Sequence, residues 1–498
     1  MYFLGYDLGS SSVKATLIEA ESGRLIASAS APEVEMEMIS LQTGWAEQNP
    51  EIWWQNLKKA THQLLNKAAL PAEDIKAIGI SYQMHGLVLI DQNLEVLRPS
   101  IIWCDSRAVE IGAKALDELG EIYCLKHLLN SPGNFTASKL KWVKDHEPEI
   151  YQKIFKILLP GDYLAARMTG EVNTTHTGLS EGIMWDYLEK NVSHRLFDYY
   201  GLDTSLIAPI VPVFSEQATL HKSIAEELGL APKTKICYRA GDQPNNAFSL
   251  NVLHPGEIAT TAGTSGVIYG VTDQPVADLH SRVNTFIHVN HLENNPSYGI
   301  LLCINGTGIL NSWLRKNFLT QGETMMSYEK MNELAAQTPI GADHLLVLPF
   351  GNGAERMLQN QNIGASFHHL DLNRHHQGHL CRAVQEGIVF SMNYGFEILK
   401  AMGLNSQVIR AGQANMFLSP LFCEAFVNVA QVNLELYNTD GAQGAARGAG
   451  VGLGYYQNPT EAFQSLACLQ SYSPDAEKSK RYQETYQQWE KILKQQIS

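Results

Sequence analysis

The sequence predicts an α/β protein of two domains, each a strand-rich sheet covered by helices, with a cleft between them. Three observations lead there. A chain of 498 residues is longer than one hydrophobic core serves, and two units of about 200 to 250 residues are the ordinary solution. Short apolar runs bounded by glycine and hydroxyl residues alternate with amphipathic stretches, the pattern of strands and covering helices. The glycine-turn style of the amino terminus also returns in "ICYRAGDQPNNAFSLNVLHPGEIATTAGTSGVIYG", as if the same plan began again. The expected division is residues 1–240 and 241–498.

The opening reads as a strand from Tyr2 to Tyr6, a turn of glycine and serines, a second strand near Val13 to Ile18, and a turn "EAESGR" into a third strand, "LIASASA". Two tight turns joining three strands make a meander. A helix follows in "NPEIWWQNLKKATHQLLNK", with Asn49 as N-cap, Pro50 at the first helical position, and Ile52, Trp53, Leu57, Ala60 and Leu64 on one apolar face. "IKAIGISYQ" is a strand and "LVLIDQNLEVL" a hairpin. From about Arg107 to Leu230 the chain is helix-rich and irregular, as expected of a cap around the lip of the first domain. The last helical stretch, "EKSKRYQETYQQWEKILKQQ", packs one face and solvates the other.

The composition is globular, with 45% apolar and 18% charged residues and no long low-complexity run. A net charge of -14 argues against a broad nucleic-acid grip, so an anionic small molecule must be met by local donors or a divalent cation. The scattered cysteines, Cys104, Cys124, Cys237, Cys303, Cys381, Cys423 and Cys468, form no CxxC pair. They fit reduced, mostly buried thiols, not a disulfide framework or a zinc site. Asp7 interrupts any signal-peptide core, and no apolar run reaches spanning length. A cytoplasmic protein that binds neither membrane nor nucleic acid is expected.

Five constellations have the chemistry of a binding site. In "GYDLGSSSVKA" a small-residue turn after a strand lets backbone amides and the hydroxyls of Ser10, Ser11 and Ser12 approach an anion, and Asp7 is placed to hold a hydrated divalent cation. The GxxxxGK[ST] spacing of a P-loop is absent, and a plain hairpin turning on Gly9 is the structural alternative. In "AGDQPNNAFS" Asp242 follows a strand and opens a helix. Its carboxylate could take a proton from a sugar hydroxyl as general base, or cap the helix. "TTAGTSGVIYG" repeats the hydroxyl turn with Gly263, Thr264 and Ser265; two such loops, one in each half, could share a chain of phosphates.

"RAGQANMF" puts Gly412, Gln413, Ala414 and Asn415 in a turn with room for a flat ring. The nearby helix in "NTDGAQGAARGAGVGLG" allows close approach of a ligand or of another element. In "GISYQMHG" and "SIIWCDSR", Met84 and Trp103 can wall a polyol pocket whose polar handles are His85, Asp105 and Arg107. The alternatives are a core pair, Met84 with Trp103, and a surface ion pair, Asp105 with Arg107. The histidine pairs at 368–369 and 375–376 lack partners at ligand spacing and read as solvated loops. In "FGNGAER" Glu355 and Arg356 either edge a cleft or pair with each other.

Together these stretches resemble the FGGY-type sugar kinases, whose fold belongs with actin, hexokinase and the heat-shock ATPases, and most closely the xylulokinases. The likeness runs nearly end to end, through "YDLGSSSVKA", "GWAEQNPEIWW", "IKAIGISYQMHG", "RPSIIWCDSR", "LLPGDYLAARMTGE", "GDQPNNA", "GTSG" and "EGIVFSMNYG". The resemblance implies two actin-like (ribonuclease H-like) ATPase domains around a catalytic cleft, and phosphate transfer from magnesium ATP to the C5 hydroxyl of D-xylulose. It makes Asp242 the general base and Asp7 and Asp242 the carboxylates nearest Mg2+. Ser10, Ser11, Ser12, Lys14, Gly263, Thr264 and Ser265 would hold phosphates, with Gly412, Gln413 and Asn415 near adenosine. Gln83, Met84, His85, Trp103, Asp105, Asp242 and Gln243 would hold the sugar. Domain closure would exclude water, and a homodimer is a family expectation.

Three stretches depart from the family pattern. Gln243 stands where Asn is usual, "AGQANMF" replaces a glycine-richer adenosine loop carrying a basic residue, and "GAERML" replaces "GERTP". None touches Asp7 or Asp242. Kinase chemistry therefore reads as intact, while a different pentulose or a sugar acid as acceptor stays open. So does an ATP-binding regulator on the same fold, which would not need Asp242 as a base.

Overall fold

The computed structural model describes residues 1–321 and 324–497. The amino-terminal meander forms as expected, with β1 (Tyr2–Leu8), β2 (Val13–Glu19) and β3 (Leu25–Ala31) pairing antiparallel in that order. β4 (Ile75–Tyr82) lies parallel to β1. β5 (Phe214–Thr219) closes the edge against β6 (Lys235–Gly241), which is parallel to β4. The first sheet is thus ordered β5-β6-β4-β1-β2-β3.

The second sheet repeats the plan. Antiparallel β7 (Ile258–Ala262), β8 (Gly266–Thr272), β9 (Asn284–Ile287) and β10 (Tyr298–Ile304) are followed by β11 (Val408–Gly412) parallel to β7. β12 (Asn433–Tyr437) lies parallel to β11, and β13 (Cys468–Tyr472) closes the edge antiparallel. Each sheet is therefore an antiparallel meander continued by two parallel strands and closed by an antiparallel edge strand. The repeat starts later than the turn composition suggests. The strand in "ICYRAG" pairs with β4 in the first sheet, and the second sheet opens only at Ile258. A glycine turn looks the same after the last parallel strand of one sheet as after the first strand of the next.

α1 (Pro50–Ala68) begins as read, with the Asn49 side chain accepting from the Glu51 amide and Trp53, Leu57, Ala60 and Leu64 buried against β2 and β3. The hairpin expected after β4 forms only in part. Its first arm, Val88–Ile90, pairs with Lys156–Leu158 and meets the second arm at the Ile90–Val96 bridge. The helix-rich middle does more than line the first domain. Its apolar core, including Leu128, Leu140 and Phe197, continues into Tyr269, Val271, Phe286 and Leu301 of the second sheet.

α2 (Asp242–Ser249) follows β6 directly. α3 (Gln377–Ala401) and α4 (Pro420–Ala430) cover the second sheet. The ring of His376 caps α3 by accepting the Gly378 amide, so this histidine is not in a free loop. α5 (Gly441–Gly452) leaves β12 yet packs on β1, β4 and β6 of the first sheet. Gly5 and Gly79 stand opposite each other on β1 and β4, and a Cβ on either would lie 1.9 Å from a carbonyl oxygen of α5, that of Ala442 or Ala445 respectively. Small residues on both sides let backbone meet backbone, so the glycine-alanine helix is a close-packing device. α6 (Ala476–Ile497) buries Tyr482, Tyr486, Trp489 and Leu493 and is one-sided, as its pattern indicates. Among the described residues no helix is long and apolar enough to cross a membrane.

Candidate active site

Residues just beyond the carboxyl ends of adjacent parallel strands line one crevice. β1, β4 and β6 are such neighbours, and they bring together Asp7, the Gln83-Met84-His85 run and Asp242. Asp7 stands opposite Ser81 in the register, and the Ser81 hydroxyl donates to its Oδ1 at 2.7 Å. In the second sheet β7, β11 and β12 end in the 263–265 turn, the 412–415 turn and the Asp440 cap of α5. The two edges meet. Lys14 Nζ donates to Asp440 Oδ2 at 2.5 Å, and a Cβ on Gly441 would lie 2.4 Å from Asp7 Oδ2. Asp7 therefore rests against the amino terminus of α5, where unpaired amides favour negative charge.

Burial holds the Asp7 carboxyl above its ordinary range; the Ser81 hydrogen bond opposes this, the Asp440 charge adds to it and Lys14 subtracts. Asp242 is pushed up to about 7, first by burial and then by the negative charge of Asp7. Two carboxylates that disfavour each other's ionisation are a donor pair that a divalent cation would relieve. Among the described residues no group of three or more His, Cys, Asp or Glu is arranged for a metal. Magnesium is ordinarily held by one or two carboxylates together with substrate phosphates, so the pair fits a nucleotide-borne ion. The capping alternative for Asp242 fails, because Gly241 takes the N-cap position and Asp242 the first helical one.

Both hydroxyl turns are braced from behind. In the first, the Gly9 amide donates to the Ser12 carbonyl at 3.0 Å, and Gln48 Nε2 donates to the Ser10 carbonyl at 2.7 Å. In the second, the Thr307 hydroxyl donates to the carbonyls of Gly263 and Thr264 at 3.1 and 3.0 Å, leaving Thr264 and Ser265 exposed. A Cβ on Gly263 would lie 3.5 Å from Asn415 Nδ2, so the second hydroxyl turn abuts the turn read as an adenosine neighbour. There the Gln413 amide donates to the Tyr437 carbonyl at 2.9 Å, and Gly412 lies beside the Thr439 carbonyl.

The run beyond β4, next to Gly241, carries acceptors. Gln83 is buried and donates to Gln48 Oε1 at 3.0 Å, while its own Oε1 has no partner among the described residues. An unmatched buried acceptor is what a substrate hydroxyl would satisfy. Met84 packs beside Gly241. His85 adopts a left-handed φ of 63°, and Lys139 Nζ pins it by donating to the His85 and Ile102 carbonyls at 2.9 Å. Burial, aided by the Lys139 charge, lowers the His85 imidazole to about 3, so the ring is neutral. With Nδ1 2.8 Å from the Glu181 carbonyl, the proton sits on Nδ1 and Nε2 is left as an acceptor. Gln243, half-buried, follows Asp242 in the first turn of α2.

The structural alternatives hold in part: Met84 is a core residue, and Asp105 does pair with Arg107, though not at the surface. Trp103 is 51% exposed and is no core residue. Asp105 and Arg107 are buried together, with Nη2 to Oδ2 at 2.7 Å. The Asp105 Oδ2 also accepts the Ala46 amide at 2.6 Å and Oδ1 the Arg107 amide at 2.9 Å. Both oxygens being engaged, Asp105 anchors the Ala46 and Arg107 backbone and the Arg107 side chain. Glu355 and Arg356 are not a pair. Glu355 accepts the Asn305 and Gly306 amides at 3.0 and 2.9 Å, and Arg356 donates to the Ser281 carbonyl at 2.9 Å and to Asn284 Oδ1 at 2.8 Å.

Models of the N-terminal and C-terminal domains of the FGGY family of carbohydrate kinases match residues 2–249 and 258–452. The chain belongs to this family. It is 30% identical over 503 residues to the xylulose kinase of Bacillus subtilis, covering 99% of this chain and 96% of that one. With the xylulose kinase of Escherichia coli it shares 28% over 500 residues, covering 99% of each. A crystal structure named as a xyloylose kinase from Brucella ovis matches with TM-score 0.87 and 25% identity, covering 99% and 98% of the two chains. A gluconate kinase from Lactobacillus acidophilus matches with TM-score 0.90 and 23% identity, covering 100% and 98%. This FGGY kinase thus has the two-domain actin-like ATPase fold.

Sequence reading does not reach four residues of the FGGY kinase's cleft. Ser81 lies inside a strand, and Lys139 and Glu181 lie in the irregular middle, without a local signal. Asp440 has one: an aspartate just before a glycine-alanine helix is a capping pattern, and its Oδ1 accepts the Gln443 amide at 2.9 Å.

Proposed function

We propose that this FGGY kinase transfers the γ-phosphate of ATP to the C5 hydroxyl of D-xylulose, with Asp242 as general base. The observation that carries the reading is the setting of Asp242, a carboxylate beyond a strand end whose proton affinity, about 7, suits a base working near neutral pH. The hydroxyl proton passes to Asp242 as the oxygen attacks the γ-phosphorus in line; the bond from that phosphorus to the β-phosphate bridging oxygen breaks and ADP leaves. Magnesium, when bound with ATP, supplies neutralisation of phosphate charge, and Asp7 and Asp242 would hold it.

The chain's own residues would do the rest. The turns at Ser10 to Ser12 and 263–265 hold phosphate oxygens, Lys14 lies beside them on its Asp440 partner, and the 412–415 turn receives the adenosine. Gln83 Oε1 and His85 Nε2 accept sugar hydroxyls against Met84. D-xylulose as acceptor is supported by the B. subtilis and E. coli relatives, which match over nearly their whole length. The test is ATP turnover with D-xylulose, L-xylulose, D-ribulose, L-ribulose, D-gluconate and glycerol, with the phosphate position read by NMR. D-xylulose should be preferred and give the 5-phosphate, and Asp242→Ala should lose about 10²- to 10⁴-fold in transfer while still binding nucleotide. Preference for another acceptor would overturn the sugar; transfer surviving in Asp242→Ala would overturn the base.

A further inference from the structure

Glu181 closes the short helix His176–Glu181 and is 2% exposed. Among the described residues its carboxylate has no cationic partner. Its one donor is the His85 amide, at 3.4 Å from Oε1. A buried carboxylate is normally paired or held by several donors, so this one is under-satisfied. Its place is specific. A Cβ on Gly241 would lie 2.3 Å from Glu181 Oε2 and 2.5 Å from Met84 Cγ. Position 241 is therefore open to the Glu181 carboxylate only because it is glycine, and the carboxylate backs directly onto the residue before Asp242. The Glu181 carbonyl also orients His85. Burial raises the carboxyl well above its ordinary range, with Asp242 and Asp162 adding to the effect.

We infer that Glu181 is a specificity-determining residue, whose under-partnered carboxyl group hydrogen-bonds a hydroxyl of the acceptor sugar. This rests on the kinase reading of the site. The carboxyl group touches His85 and Gly241, the residue before Asp242, and a sugar hydroxyl would supply the partner it lacks.

The test compares wild type, Glu181→Gln and Glu181→Ala in ATP-dependent transfer to D-xylulose, its monodeoxy analogues and D-gluconate, with thermal unfolding confirming that each variant is folded. Glu181→Ala should raise KM for the ketose about 2- to 10-fold, the size of one hydrogen bond between neutral groups, with kcat changed far less. Glu181→Gln, which keeps both an acceptor and a donor in the same place, should recover most of the KM. For one deoxy analogue the loss seen in wild type should vanish in Glu181→Ala. Folded variants that keep the wild-type ranking of all these acceptors would overturn the inference while leaving the kinase intact. A wild type that phosphorylates none of them would instead overturn the kinase reading, and this inference with it.

Discussion

Replacing Asp242 by Asn removes the charge that the folded protein holds at a disadvantage, and its effect on stability has a definite sign. The carboxyl titrates near 7 when folded, against an ordinary 3.8, and each tenfold change in proton affinity is worth about 1.4 kcal/mol. The ceiling is therefore about 4 kcal/mol, and because the side chain keeps some contact with solvent, about 2 kcal/mol is the expected share. A raised carboxyl retains its proton when folded over a pH range in which the unfolded chain has lost it, so wild-type stability falls as pH rises from about 4 to about 7. Asparagine does not titrate. The Asp242→Asn gain should thus be absent near pH 4 and reach about 2 kcal/mol above pH 7, a rise of about 4 to 8 °C in the unfolding midpoint of the affected domain. Thermal unfolding of both proteins across this range, without magnesium, measures it. Excess magnesium should shrink the gain by satisfying the wild-type carboxylates. A stability difference that stays constant from pH 4 to pH 8 would refute the reasoning, because the raised affinity of Asp242 would then be absent.

Activity should follow the same group. kcat/KM for the sugar should rise with pH through a limb below about 7, because magnesium lowers the carboxyl it touches, and Asp7→Asn, by removing the charge that raises Asp242, should move the limb of the residual activity to lower pH; a limb that does not move separates the two carboxylates. His85→Phe should raise the sugar KM about tenfold by deleting one acceptor. The wild-type KM should show no His85 titration above pH 5, because the ring is neutral there. Gly441→Ala places a methyl 2.4 Å from Asp7 Oδ2, so kcat should fall at least tenfold in a protein that still unfolds cooperatively, by circular dichroism. Gly79→Ala sets its methyl 1.9 Å from the Ala445 carbonyl. Backbone cannot rotate away as a side chain can, and a loss of about 3 kcal/mol should appear as a lowered urea midpoint.

Features written in neighbouring residues are legible in the sequence. The meander, the capped start of α1, the one-sided α6 and the two hydroxyl turns all follow from short-range periodicity, capping and turn chemistry. What is not legible depends on contacts between distant residues. That β6 belongs to the first sheet is decided by its pairing with β4, more than 150 positions earlier in the chain. Asp105 is conspicuous in the sequence, yet its carboxylate is engaged by Arg107 and the Ala46 amide. Glu181 is the reverse case, inconspicuous in "GLSEGIM" and placed beside Asp242 only by the fold.

The dual attachment of α5 explains why residues remote from the chemistry should still affect it. The helix begins in the second sheet, where Asp440 caps it through the Gln443 amide and pairs with Lys14. Its body lies on the first sheet over Gly5 and Gly79. The position of Asp7 relative to the 263–265 and 412–415 turns is therefore set by one rigid element anchored at both ends, with Gly441 at the contact itself. A substitution that lifts the body of α5, such as Gly79→Ala, must displace its amino terminus or open the Lys14–Asp440 pair. That variant, assayed well below its unfolding midpoint, should lose kcat even though the altered side chain touches neither carboxylate. An unchanged kcat would mean that the first sheet, and not α5, fixes Asp7.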